Sequence, residues 1–388
     1  MKRCHPKPAA GGFTLVELLV VITIIAVLAG IAIPTIGMVQ RRASNASIRM
    51  EITEIEKAAN NYATAYGDLP PDGSSWVVMN RHLNKAFPRI SAVDRTLLYN
   101  MCHEPNVAAS NSPSGSTFYP AAIDRAEAIV LFLGGLSADE SRPFTGPGGP
   151  FQFVGTAGTD SPVDPDSYQY NIDRNSPRME LDITRLTLAQ LPNPTAPVST
   201  SNRVLSNDDN GPTARGDLIP VYVPNRRQAP YVYFDSRTYG YVVDSPIGDL
   251  PYNGYADTNW GAVRPYKTNL NPPGAGSFTA ANVPEALRWQ NPDSFQVISA
   301  GQDDHFGNLA FNPGNSNMPA YFIAETGQAI ACDPSKGSAS EMYINLTNGF
   351  SADLNGFQER SLNSSYENSH LDNITNFSEK LTLQDNLP

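Results

Sequence analysis

Apolar residues are spread very unevenly along this chain of 388 residues. Residues 13–33 read FTLVELLVVITIIAVLAGIAI, and 17 of these 21 are apolar, the exceptions being Thr14, Glu17, Thr23 and Gly30. As a helix the run would rise about 32 Å, against a bilayer hydrocarbon core of ~30 Å. That predicts one membrane span. Pro34 follows at once, removing a backbone donor and clashing with the preceding turn, so a kink or local melting is expected there. Beyond it the pattern changes from continuous to periodic. Ile48, Ile52, Ile55, Ala59, Tyr62 and Tyr66 recur at steps of three and four, with Glu51, Glu54, Glu56, Lys57 and Asn60 on other faces. Gly67 and Pro70-Pro71 supply the stop. The expectation is a helix from Phe13 to Tyr66, about 80 Å long if straight, spanning over 13–33 and amphipathic over 34–66. Its second half is expected to cover one face of a sheet.

The pattern after Tyr66 is weaker. Asp124 to Leu133 reads as a short helix with an acidic N-cap, ended by Gly134-Gly135. Strands are expected at Leu218 to Val223, Tyr231 to Phe234, Tyr239 to Val243 and Phe295 to Ser299, with a hairpin joining the first two through Pro224 to Gln228. Pro-, Gly-, Ser- and Asn-rich stretches at roughly 105–118, 143–167, 192–216 and 264–284 separate these elements. The fold class that follows is α+β: a long N-terminal helix packed on a small antiparallel sheet, with a loop-rich, enlarged head over 67–350. Residues 351–388 are polar and read as a loose C-terminal tail.

Composition narrows the function. A net charge of −11 and a pI near 4.9 argue against a nucleic-acid partner, since phosphate binding needs a basic face. Three cysteines are too few for a disulfide scaffold. The N-terminal flank carries Lys2, Arg3 and Lys7, which favour a cytoplasmic start. In a secretory signal, small residues follow the apolar run; here Ala9-Ala10-Gly11-Gly12 precede it. Glu17 is costly inside a span, by roughly 2.5–3.5 kcal/mol at its centre and less near the interface, so it reads as functional with a positive partner.

The stretch Gly12-Phe13-Thr14-Leu15-Val16-Glu17 resembles the prepilin processing motif of type IV pilins and type II secretion pseudopilins, and the resemblance runs well over residues 11–66. It implies that residues 1–12 are a leader, cut between Gly12 and Phe13 by a membrane-embedded prepilin peptidase, with methylation of the new Phe13 amine. It implies that Glu17 faces the Phe13 amine of a neighbouring subunit, and it extends to the proline at position 34. The implied partners are other pilin or pseudopilin subunits, membrane lipid, and an inner-membrane assembly platform with its ATPase. The implied location is the inner membrane, single-pass, with the head periplasmic or extracellular, and then the filament. A structural filament subunit is the first reading. A minor, tip or adhesin-like subunit whose large head recognises a partner is the alternative. An enzyme is not expected, since the sequence has no GxSxG, no HExxH and no phosphate loop.

Two further features concern the head. The segment FQVISAGQDDHFGN, from Phe295 to Asn308, resembles the calcium loop of major pseudopilins, with Ser299, Gly301, Asp303 and Gly307 in matching places and Asp304 and Asn308 where that family has glycine. Ser299, Asp303, Asp304 and Asn308 are the candidate Ca²⁺ ligands. They fall short of the roughly six to eight oxygens that calcium takes, so a metal-free acidic turn is the competing reading. With Cys4 lost in the leader, Cys102 and Cys332 remain as a candidate disulfide on the oxidising side of the membrane, against two unrelated buried thiols.

Overall fold

The computed structural model describes residues 14–102, 123–190, 204–206, 218–239, 243–244, 251–252, 254–257, 259–269, 287–307, 320–322, 324, 329–331 and 372–386. The chain divides into two compact units, Met1–Ala46 and Ser47–Pro388. Helix α1 (Leu15–Tyr66) is helical throughout, so the melting expected at Pro34 does not occur. A proline costs its helix one backbone bond and one steric contact, which a long helix absorbs without unwinding. Gly67 closes α1 with φ +76°, and its N–H bonds Ala63 O at 2.8 Å.

The stripe predicted for the second half of α1 is the buried one. Ile48, Ile52, Ile55, Ala59 and Tyr62 are each at most 2% exposed, and Tyr66 packs against them from the edge. Two helices then follow that the apolar pattern did not suggest, α2 (Trp76–Ala86) and α3 (Ala92–Met101). α3 begins on Ser91, whose hydroxyl accepts from Asp94 N. The buried Asp94 carboxylate in turn accepts from the Phe144 and Thr145 N–H groups, at 2.9 and 3.2 Å, and so fastens α3 to the 143–150 loop. The expected helix at 124–133 is shorter, α4 (Ala128–Leu133), because Asp124 caps a preceding turn through the N–H groups of Ala126 and Glu127. All six α4 residues are buried.

Short antiparallel strands make up the remainder. β1 (Phe151–Phe153) pairs with β2 (Tyr168–Tyr170), and β3 (Leu188–Gln190) with β4 (Val204–Ser206). β5 (Tyr231–Asp235) enters the central sheet described below. β6 (Val243–Asp244) pairs with β7 (Pro251–Tyr252), β8 (Tyr255–Asp257) with β9 (Gly261–Val263), and β10 (Lys267–Asn269) with β11 (Leu287–Trp289). β12 (Phe295–Ser299) is the middle strand of the central sheet; β13 (Ala320–Phe322) and β14 (Ala329–Ala331) form another pair. β15 (Ile374–Thr375) and a last turn, α5 (Leu383–Asn386), end the described chain.

The central sheet has the order β15-β12-β5 and is buried on both faces. Strand alternation sorts its residues between two cores. Tyr231, Tyr233, Phe295, Val297 and Ile374 join the cluster that holds the α1 stripe. Val232, Phe234 and Ile298 face a second cluster with Tyr266, Phe306 and Leu383.

Two expectations are corrected here. Leu218 to Val223 forms no strand, only an isolated bridge from Tyr222 to Leu186, since Pro220 and Pro224 offer no ladder N–H. Tyr231–Asp235 therefore pairs with β12, and a single bond from Tyr231 N to Tyr222 O (3.0 Å) is what the described residues show of the expected hairpin. The tail reading of 351–388 also fails where the chain is described. β15 completes the central sheet, Ile374 and Leu383 are fully buried, and Asn376 bonds Val297 through both its backbone N–H and its side-chain oxygen.

Candidate functional site

The N-terminal region is described from Thr14 onward; Gly12 and Phe13, the expected cleavage pair, lie outside the described residues. Thr14 and Glu17 form a reciprocal cap. Glu17 Oε2 accepts from Thr14 N at 2.8 Å and from Thr14 Oγ1 at 2.7 Å, while Glu17 N donates to Thr14 Oγ1 at 3.3 Å. A carboxylate at the third helical position is well placed to satisfy the free N–H groups at a helix start. The apolar residues that follow lie on every face and are exposed, from Leu15 (79%) through Leu18, Val21 and Ile25 to Leu28, and again at Ile36, Met38 and Val39 (65%). α1 is long and apolar enough to cross a membrane.

The acidic turn lies at the end of β12. Gly301 and Gly307 both take positive φ, and a Cβ on Gly301 would sit 2.2 Å from Asp372 O, so glycine is required there. The two neighbouring carboxylates diverge. Asp304, itself at φ +59°, accepts from Gln228 N at 2.9 Å and Ala229 N at 3.4 Å and lies 3.9 Å from the Arg227 guanidinium. Asp303 accepts from His305 N at 2.9 Å. A third acid, Asp372, was not singled out from the sequence; its Oδ2 accepts from Gln302 N and Asp303 N at 2.5 and 3.1 Å. Burial pushes the Asp372 carboxyl up to about 6. Ser299 is buried in β12, and Asn308 lies outside the described residues. Among the described residues no group of three or more His, Cys, Asp or Glu side chains is arranged to hold a metal ion. Cys102 is buried at the end of α3, its thiol donating to Gly73 O at 3.0 Å, and Cys332 lies outside the described residues.

The family model described as "Prokaryotic N-terminal methylation motif" matches residues 7–33. The N-terminus is a prepilin-type signal. No curated protein and no solved structure matches the chain at a significant level. The motif match covers Gly12, Phe13, Glu17 and the whole apolar run, and stops one residue short of Pro34. The match supports a type IV pilin-like or pseudopilin precursor.

One charged cluster in the head escaped the sequence reading, because its members are scattered over the chain. Asp72 is buried, with Ser74 N and Oγ on one oxygen and Arg125 Nε (3.1 Å), Thr238 Oγ1 (2.5 Å) and Asp235 N (3.3 Å) on the other. Arg125 also donates to Gly254 O and Thr238 O. A buried ion pair is tolerable only when its remaining donors and acceptors are met, and here they are. The cluster holds the connector after α1 to the end of β5. Its neighbour Gly73 cannot carry a side chain, since a Cβ would lie 2.5 Å from Ile123 O.

Proposed function

We propose that the chain is the precursor of a structural subunit of a type II secretion pseudopilus or a type IV pilus-like filament. The prepilin-type motif over 7–33, continuing into an exposed apolar helix, is the observation that carries this reading. On it, a prepilin peptidase cuts between Gly12 and Phe13, and the new Phe13 amine is methylated. Removing Lys2, Arg3 and Lys7 takes the side-chain net charge from −11 to −14. The amine, with a pKa of about 8 in model peptides, is cationic at the membrane edge. An ammonium and a carboxylate in a low-dielectric setting are each costly alone and far less so together, so Glu17 takes the Phe13 amine of the neighbouring subunit. Lipid holds the span until an inner-membrane platform and its ATPase move it into the filament, with the head outside. The polypeptide performs no catalysis of its own.

The test is mass spectrometry of the mature N-terminus from the membrane or filament fraction. Methylated Phe13 is expected, and an intact Met1 would overturn the assignment. The size of the second unit, Ser47–Pro388, supports a second reading: a minor or tip subunit whose head meets a partner. Copy number along purified filaments separates the two, many copies for a structural subunit and one or a few for a tip.

A further inference from the structure

The C-terminal end of α1 is tied to the head through a buried histidine. His82, on α2, is 0% exposed. Its Nε2 lies 2.9 Å from the Tyr62 hydroxyl of α1, and its Nδ1 lies 3.2 Å from Asp68 Oδ2 in the connector. A carboxylate only accepts, so Nδ1 carries the proton and Nε2 accepts from Tyr62 O–H. Every polar atom of this trio is satisfied while the imidazole is neutral.

The surroundings do not favour a second proton. Arg237, from the turn after β5, reaches the same Asp68 oxygen at 2.6 Å, and Lys85 of α2 lies 3.4 Å from the other. Asp235 stands behind Arg237 and pairs with it, and Arg178 covers the Tyr66 ring. Asp68 therefore already has two cations beside it, and an imidazolium would be a third. The rings of Tyr66, Phe87 and Phe132 close the remaining sides of Tyr62 and His82. A proton on Nε2 would turn that atom into a donor facing Tyr62, and the Tyr62 hydroxyl would lose its acceptor inside an aromatic enclosure. Burial lowers the His82 pKa, Asp68 opposes this, and the net direction is down.

We propose that Tyr62, His82 and Asp68 form an acid-sensitive latch, which fastens the end of α1 to α2 while His82 is neutral and loosens when it is protonated. A group with a depressed folded pKa binds its proton more readily when freed. Stability from the latch is thus fully present above about pH 6.5 and is lost as pH falls below it. Asp235 has the opposite sign, since burial raises it to about 6, so its protonation favours the folded head as pH falls. The comparison must therefore be made at His82.

The experiment is hydrogen exchange of the full chain in detergent between pH 7.5 and 5, corrected for the intrinsic pH dependence of exchange, in wild type and His82→Gln. Glutamine can accept from Tyr62 and donate to Asp68 without titrating. Protection of residues 58–66 is expected to fall by roughly tenfold in wild type relative to α3, and to hold or rise in His82→Gln. Equal losses in both proteins, or no loss in wild type, would overturn the latch. Should His82→Gln fail to fold, NMR titration of the His82 imidazole in wild type decides. A midpoint below 6.5 with concurrent change at Tyr62 supports the latch, whereas a midpoint at or above 6.5, or no change at Tyr62, rejects it.

Discussion

Along α1, residues 15–39 and residues 48–66 are both apolar in the sequence, but their apolar positions are arranged differently around the axis. Leu18, Leu19, Val20, Val21 and Ile22 follow one another directly, so every face of that stretch is apolar, and each is about half exposed. Ile48, Ile52, Ile55, Ala59 and Tyr62 recur every three or four positions and each is buried in the head, while Met50, Glu54 and Lys57 face outward. A helix that is apolar all round needs surroundings from outside its own chain, whether lipid or other helices. A stripe is satisfied by the chain that carries it. One continuous helix thus has an outward-looking half and an inward-looking half, and hydrophobicity alone would not tell them apart.

Glu17 gives the sharpest way to break the comparison. Glu17→Ala is expected to abolish incorporation into filaments while leaving membrane insertion, cleavage and head melting unchanged, as read by filament yield beside thermal unfolding. Loss of head stability in this variant would mean that the two halves are not independent. Next in size is Arg125→Ala. It strands the buried Asp72 carboxylate and should cost about 3–5 kcal/mol in denaturant unfolding. Ile52→Ala, in the stripe, should cost about 2–5 kcal/mol through lost burial and a cavity. Leu19→Ala, in the outward half, should leave unfolding of the head untouched.

The inward half was legible because its spacing is regular, and so were β5 and β12, which are dense in aromatic and β-branched residues. What was missed has physical causes. α2 buries Val78, Met79, His82 and Leu83, but Asn80, Arg81, Asn84 and Lys85 interrupt the apolar signal. α3 announced itself only through Ser91 and Asp94, three residues apart, the spacing of a capping box with aspartate in the acidic place. β15 lies in an Asn-, Ser- and Thr-rich stretch whose polar side chains look solvent-bound. Asn373 and Thr375 are nonetheless fully buried, and Asn373 Nδ2 donates to Phe306 O at 3.0 Å. Composition reports what a residue prefers in water, not what partners the fold will bring to it. The Asp72–Arg125 pair, 53 positions apart, had no local signature. At the N-terminus the reverse holds, because the motif matched over residues 7–33 is a contiguous run that the sequence alone displays.

Smaller effects sharpen the account of the head. Asp372 holds its proton to about pH 6 in the folded state, above an ordinary carboxyl, so its contribution is full near pH 4 and is lost as pH rises through 6. Asp372→Asn, which still accepts from Gln302 and Asp303, should remove that part of the pH dependence of unfolding. For the turn itself, Asp303 and Asp304 already have protein donors, so melting of the full chain in detergent is expected to be the same with Ca²⁺ or with chelator. One occupied site at 100 times its Kd would add about 2.7 kcal/mol, large enough to see. Such a shift, abolished by Asp303→Ala, would establish the metal.

The central sheet also has a consequence for timing. A ribosome delivers α1 long before β15, yet Ile48 and Ile374 belong to the same core. Arg49, near the start of the inward stripe, donates to the carbonyl of Ser378 at 2.6 Å, across 329 positions of sequence. Contacts of such long range are slow to form, since the intervening loop entropy must be overcome before they contribute. Until residue 375 emerges, β12 has an open edge on the side where β15 will sit, a ready place for another chain to pair. Between the emergence of β12 and that of β15, the nascent protein therefore holds α1 and an unfinished sheet together. The central sheet is completed only when β15 arrives.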